Sequence, residues 1–211
     1  MKPFLWFQAW FKAWFRAQPD RSRSFKRHVR QASRRGQRLS DSILATIAFY
    51  TCLPVFLWWK PEPRSLHFNG VAAYAPALGL ILGLGLALLD AGLAGLAWPP
   101  MTRSAIVVVV WLAITGGLHL DGAIDTADGL SVLDRSRRLS VMADSTVGAF
   151  GAMAAAIILM LKIIALADIS NLRWLALAGS MFWGRWGQLL AIIAYPYLRA
   201  TGKGKLHKDG V

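Results

Sequence analysis

The sequence predicts an all-α, polytopic membrane helical bundle with a basic amphipathic extension at its N-terminus, and three observations carry that prediction. Hydrophobic residues are 55% of the 211 residues and charged residues 17%, far from the balance of a soluble domain. The apolar residues gather into windows, several of them near the roughly 20 residues that a helix needs to cross a bilayer. Acidic side chains then cluster in a short segment directly after one of these windows, where a carboxylate is costly unless it has work to do.

Residues 1–40 form the extension. Lys2, Lys12, Arg16, Arg21, Arg23, Lys26, Arg27, Arg30, Arg34, Arg35 and Arg38 face a single acid, Asp20, so this segment holds ten of the thirteen net positive charges. Trp6, Phe7, Trp10, Phe11, Trp14 and Phe15 recur at helical spacing beside Lys12 and Arg16. Aromatic residues flanked by cations suit an interfacial helix on an anionic lipid leaflet. A solvated basic tail is the simpler reading, and nucleic-acid binding is disfavoured. Positive charge at this end places the N-terminus in the cytoplasm.

The membrane domain, 41–211, contains five apolar windows: Ile43 to Trp59, Val71 to Leu89 with an extension to Trp98, Ser104 to Leu118, Val147 to Ala167, and Trp174 to Tyr197. The second, fourth and fifth are long enough to span, and the third is long enough if its helix runs on to Leu120. The first is short and carries Pro54, which fits a half-span as well as a crossing. A non-crossing first window keeps the acidic segment and the cluster Arg135, Arg137 and Arg138 on the cytoplasmic side, as the positive-inside rule asks. Gly79, Gly83 and Gly85 in one span, and Gly148 and Gly151 at the start of another, predict close helix packing. Cys52 is the only cysteine, which excludes an internal disulfide and a thiolate metal cluster. No cleavable signal peptide is expected in the first forty residues.

The acidic segment runs from Gly116 to Gly129. If it is helical, Asp121, Asp125 and Asp128 stand at i, i+4 and i+7 and project from one face. Three uncompensated carboxylates repel, and oxygen-only ligands favour Mg²⁺ or Mn²⁺ over zinc. Asp144 is a fourth candidate ligand. A solvated helix end explains any one of these acids, but accounts poorly for three in register. His119 precedes the stripe and points away from it in a regular helix; it is a candidate proton acceptor, with a hydrogen-bonded interfacial role as the alternative. Two cations sit inside apolar windows. Lys162 reads as snorkelling, whereas the planar fork of Arg185 suits a phosphate or carboxylate. Arg199, followed by Lys203 and Lys205, reads equally as a phosphate-contacting loop or a solvated basic end. Carboxylates that hold a metal, with arginine nearby, point to chemistry on a phosphate or diphosphate. Charge and spacing do not separate prenyl, phosphatidyl and nucleotide transfer.

The ordered string Gly-Gly-Leu-His-Leu-Asp-Gly-x-x-Asp-Thr-Ala-Asp-Gly, then Asp134-Arg135, Met142-x-Asp144-Ser145 and Gly148-Ala149-Phe150-Gly151, resembles the cobalamin synthase family, the adenosylcobinamide-GDP ribazoletransferases. Weaker resemblance covers most of Leu39 to Gly204 and leaves out the basic extension. The resemblance implies a Mg²⁺-dependent enzyme of the cell inner membrane with its active site on the cytoplasmic side. In that reaction a hydroxyl of α-ribazole, or of its 5′-phosphate, attacks the cobinamide-linked phosphate of adenosylcobinamide-GDP, and GMP leaves. Carried onto this chain, His119, Asp121, Asp125 and Asp128 are the catalytic candidates. Asp121, Asp125, Asp128 and Asp144 are the metal candidates, and Arg135, Asp144, Ser145, Arg185 and Arg199 the substrate and phosphate contacts. Two departures stand out: Thr51-Cys52-Leu53-Pro54 replaces the usual Thr-Arg-x-Pro, and a further membrane segment expected after Gly204 is missing, as in a truncated or divergent copy. The competing readings are a UbiA-like prenyltransferase, which predicts two separated Asp-rich motifs, and a divalent-cation carrier, which predicts acids at mid-bilayer. The sequence leaves oligomeric state open.

Overall fold

The computed structural model describes residues 40–53 and 71–198, and all regular structure among them is helical. The aromatic-basic extension, Arg199 and the Gly202–Lys205 segment lie outside the described residues. A short helix α1 occupies 40–50. It is followed by α2 (Val71–Gly95), α3 (Pro100–Thr115), α4 (Leu118–Ser131), a 3₁₀ turn (Arg135–Arg137), the single turn α5 (Arg138–Val141), α6 (Ala149–Asp168) and α7 (Arg173–Ala194).

Among the described residues two helices, α2 and α6, are long and apolar enough to cross a membrane, and α3 with α4 makes a third span if that bent pair is one unit; α7, whose window reads as a span in the sequence, is not among them. Helix α1 rises only about 16 Å at 1.5 Å per residue, roughly half of the hydrocarbon thickness, so its described part does not cross alone. Large apolar side chains such as Ile81, Leu88, Ile157, Met160 and Leu161 face outward, the pattern of a surface solvated by lipid rather than water.

Helices α2 and α7 run antiparallel in close contact, and glycine sets the approach. A Cβ on Gly79 would strike the Met181 carbonyl, and one on Gly83 would lie 2.7 Å from the Ala178 Cα. The packing expected of these two glycines is therefore present. Gly85 has open space around it and takes no part.

The third apolar window does not run straight on to Leu120. Gly116 and Gly117 both adopt positive φ, 60° and 67°, a conformation open to glycine at little steric cost. The backbone N–H groups of Gly116 and Gly117 donate back to Ala113 and Leu112. These bonds close α3 and turn the chain by 89° into α4. The acidic segment thus becomes a separate helix lying across the end of the bundle.

At the opposite end, Arg173 at the start of α7 pairs with Asp90 near the end of α2. Its Nε donates to Asp90 Oδ2 at 2.8 Å and its Nη2 to Oδ1 at 2.7 Å, while Nη2 also reaches Ser104 Oγ on α3 at 2.9 Å. Nη1 donates to the carbonyl of Leu166 on α6, and Arg103 Nε stands 3.6 Å from Asp90. One guanidinium thereby ties four helices. The bidentate fork is what permits this, since a lysine offers no such pair of parallel donors.

Candidate functional site

The site lies at the α3–α4 bend. Thr51-Cys52-Leu53 reaches it directly: the Cys52 N–H donates to the Ile114 carbonyl at 2.7 Å, and the Cys52 sulfur fills the space where a side chain on Gly116 would go. The position where the resemblance expects an arginine is therefore beside the acidic helix.

On α4 the three aspartates have three environments. Asp121 is exposed, Asp125 half-buried and Asp128 buried. Asp128 reaches across to α6, where Oδ2 accepts the Gly148 N–H at 2.8 Å and Oδ1 accepts the Gly151 N–H at 2.8 Å. The first turn of any α-helix leaves backbone donors unpaired. Gly148, the residue before α6, has no side chain to cap them, so an aspartate from another helix does so. A Cβ on Gly148 or Gly151 would run into this carboxylate, and at Gly151 into Ile124 as well. The glycines of Gly148-Ala149-Phe150-Gly151 thus make room for Asp128, and the close approach expected there is made by α4 side chains.

Among the described residues no three His, Cys, Asp or Glu side chains come together as a metal cage. The donor set still fits Mg²⁺, which is commonly held by one or two carboxylates with waters and substrate phosphates completing the shell. Asp121 and Asp125, one turn apart on α4, would be such a pair.

The loop after α4 is held by two local carboxylate turns. Asp134 accepts from the Ser136 hydroxyl at 2.7 Å and its N–H at 2.9 Å, and these bonds hold its carboxyl below the usual range. Asp144 accepts the Thr146 N–H at 3.0 Å, which lowers its carboxyl likewise. Arg135, Asp144 and Ser145 are all exposed, away from the buried part of the site.

Arg185 is the buried part. It lies on α7, 2% exposed, with its Cγ against Gly79 of α2 and its guanidinium carbon 5.6 Å from the centre of the Tyr50 ring on α1. Its Nη1 lies within hydrogen-bond reach of both ring nitrogens of His119, 2.9 Å from Nδ1, and donates to the one that carries no proton. A guanidinium only donates, so the imidazole nitrogen facing it is unprotonated. His119 stands in the first turn of α4 and points away from the aspartate stripe, as a regular helix requires, and it meets Arg185 there. Lys162 is 4.2 Å from the Trp111 ring centre, on the wall of an apolar cavity of about 220 Å³ shared with Leu86, Leu166, Leu177 and Met181. The sequence reading did not single out Asp90, Arg103 or Arg173; the signal available was an acid within one apolar stretch and an arginine at the edge of another.

Residues 42–211 match the family model described as cobalamin-5-phosphate synthase. Three curated relatives carry the name adenosylcobinamide-GDP ribazoletransferase. That of Trichormus variabilis is 55% identical over 81% of this chain and 66% of its own length, and that of Synechocystis is 52% identical over 80% and 64%. That of Synechococcus (strain ATCC 27144) is 49% identical over 82% and 67%. The chain thus spans about two thirds of the length of the relatives it matches. No solved structure matches it.

Proposed function

The chain belongs to the cobalamin-5-phosphate synthase family, and from that premise we propose that it joins adenosylcobinamide-GDP to α-ribazole or its 5′-phosphate, with release of GMP. The oxygen of a ribose hydroxyl bonds to the phosphorus of the cobinamide phosphate. The bond from that phosphorus to the bridging oxygen of GMP breaks, and the hydroxyl proton is lost. The observation that carries this reading is an acidic helix at the end of a membrane bundle, beside a buried arginine whose Nε and Nη2 have no hydrogen-bond partner among the described residues.

Each residue has a separate task in this proposal. Asp121 and Asp125 would hold Mg²⁺, which when bound neutralises the phosphate oxygens and the departing GMP. Asp128 docks α4 onto α6 and so fixes where the other two carboxylates stand. Arg185 takes phosphate charge inside the bundle. His119, with a lone pair turned to Arg185, orients that guanidinium. The domain lies in the cell inner membrane with α4 toward the cytoplasm, where nucleotides are, and the basic extension rests on the anionic leaflet.

Membranes containing the full chain, supplied with adenosylcobinamide-GDP, test the reading. GMP release that depends on both α-ribazole and Mg²⁺ is expected, matched one for one by completed corrinoid. Release of GDP, or turnover of prenyl diphosphates but not the corrinoid, rejects it.

A further inference from the structure

Arg185 has two hydrogen-bond donors with nothing to bond. Its Nε and Nη2 are buried without an acceptor, and so, on the acceptor side, is Gln188 Oε1 without a donor. The ion pairs of Asp90 with Arg103 and Arg173 lie at the far end of α2. A guanidinium at 2% exposure with one nitrogen on a neutral imidazole and two left idle is costly, because a buried polar group forfeits its water without recompense. An ionisable residue inside a membrane bundle is, for the same reason, a mark of a binding site.

Gln188 lies three residues on from Arg185, hence on the same face of α7, and stands beside His119. The idle groups are thus complementary in kind: two positively charged N–H donors and one neutral acceptor on one helix face. A phosphate meets the arginine with its anionic oxygens but offers the glutamine oxygen only a P–OH on the same centre, whereas a sugar phosphate carries hydroxyl donors set apart from its charge. A bare sugar offers the hydroxyls without the charge. Arg185 and Tyr50 are sealed, at 2% and 1% exposure, whereas His119 and Gln188 are partly exposed, so a ligand reaches the guanidinium past these two side chains.

We propose that Arg185 and Gln188 form a subsite for a sugar phosphate, in which Nε and Nη2 of Arg185 hold phosphate oxygens and Gln188 Oε1 accepts a sugar hydroxyl. This rests on the phosphoryl-transfer reading above and narrows it, since both the nucleotide that leaves and the ribose that attacks bear such a unit. The subsite is made by α7 and needs no metal.

The test uses the full chain in lipid nanodiscs with EDTA present, so that a metal at Asp121 and Asp125 contributes nothing. Fluorescence of Trp183 and Trp186, which flank Arg185 in sequence, reports titration with ribose 5-phosphate, GDP, ribose or inorganic phosphate. Ribose 5-phosphate or GDP should bind at least tenfold more tightly than ribose or phosphate. Arg185→Gln should weaken that binding tenfold or more, Arg185→Lys should restore part of it, and Gln188→Leu should remove the preference over inorganic phosphate. Arg185-dependent binding of ribose 5-phosphate assigns the subsite to the attacking ribose, and of GDP alone to the leaving nucleotide; either supports it. Should Arg185→Gln not fold, Arg185→Lys and Gln188→Leu decide, and unchanged affinity for both ligands in both variants overturns the proposal. Metal-free sugar-phosphate binding without any GMP release from adenosylcobinamide-GDP would leave the subsite standing and remove the reaction.

Discussion

The carboxylate of Asp128 on α4 accepts two backbone N–H groups of α6, those of Gly148 and Gly151, each at 2.8 Å. This contact replaces the absent side-chain cap of α6 and fixes α4 across the bundle end. Gly151→Ala should therefore destabilise the protein by about 1–3 kcal/mol, the usual cost of forcing a methyl group into filled space. Asp128→Asn should cost a similar amount, since its amide nitrogen cannot accept the second N–H. Thermal unfolding in nanodiscs checks both; an unchanged midpoint in both variants would contradict the docking role.

The Asp90–Arg173 pair at the other end predicts an asymmetry between single and double substitution. Arg173→Met leaves a buried carboxylate whose remaining cation, Arg103, is 3.6 Å off, and should cost about 3–5 kcal/mol. Asp90→Leu with Arg173→Met removes both charges and should recover much of the loss. Unfolding in mixed detergent micelles measures the difference, and a double variant no better than the single one would show that the pair acts through something other than compensated charge.

How much of this was legible in the sequence follows from the range of each interaction. Window ends matched α2, α6 and α7 to within a few residues because helix length is a local property of composition, although α7 is not among the helices apolar enough to cross a membrane. The acidic segment proved helical from Leu118 onward, which meets the condition under which Asp121, Asp125 and Asp128 share one face. A loop at Gly116–Gly117 was open to the sequence reading as a way to turn His119 inward, but the 89° angle between α3 and α4 depends on the positive φ of both glycines, which composition does not report. The partners of Asp128 and Arg173 lie 20 and 83 residues away, and no periodicity reports on contacts at such separations. His119 was recognisably displaced from the stripe, but that it meets Arg185, 66 residues on, depends on how α4 crosses α7.

The loop after α4 should hold its shape well into acid. Asp134 and Asp144 have carboxyl groups held below the usual range by bonds from Ser136 and Thr146, so the stabilisation they give is present above the unfolded-state value and is lost as pH falls through the lower folded-state one. Hydrogen exchange at the Ser136 and Thr146 amides, corrected for intrinsic rate, should show protection that persists at about pH 4 and fades below it. Protection that fades already between about pH 6 and 5 would contradict the assignment.

Topology has its own test. With α4 toward the cytoplasm, Ser131 and Ser136, both exposed, should accept an impermeant thiol reagent only from the cytoplasmic side. Ser131→Cys and Ser136→Cys in a Cys52→Ser background make the measurement in right-side-out and inverted vesicles. Labelling of both from the outer face would reverse the orientation and separate the acids from the nucleotide pool.

The aspartates of α4 should divide by role. On the proposed function Asp121 and Asp125 would hold the metal, while Asp128 gives both oxygens to α6. An amide keeps the shape of a carboxylate but loses the charge that offsets Mg²⁺. Asp121→Asn and Asp125→Asn should therefore each lower GMP release by two orders of magnitude or more at ordinary Mg²⁺, raise the Mg²⁺ concentration needed for half-maximal rate, and leave the unfolding midpoint near that of the parent. Asp128→Asn should do the opposite: a lowered midpoint, with the Mg²⁺ requirement of the remaining folded protein unchanged. EDTA should abolish turnover in the parent and excess Mg²⁺ restore it. The distinguishing measurement is the Mg²⁺ titration of rate in all three variants beside their thermal unfolding. A shifted Mg²⁺ requirement in Asp128→Asn at an unaltered midpoint would make Asp128 a metal ligand, and its contact with Gly148 and Gly151 would then describe only the metal-free arrangement.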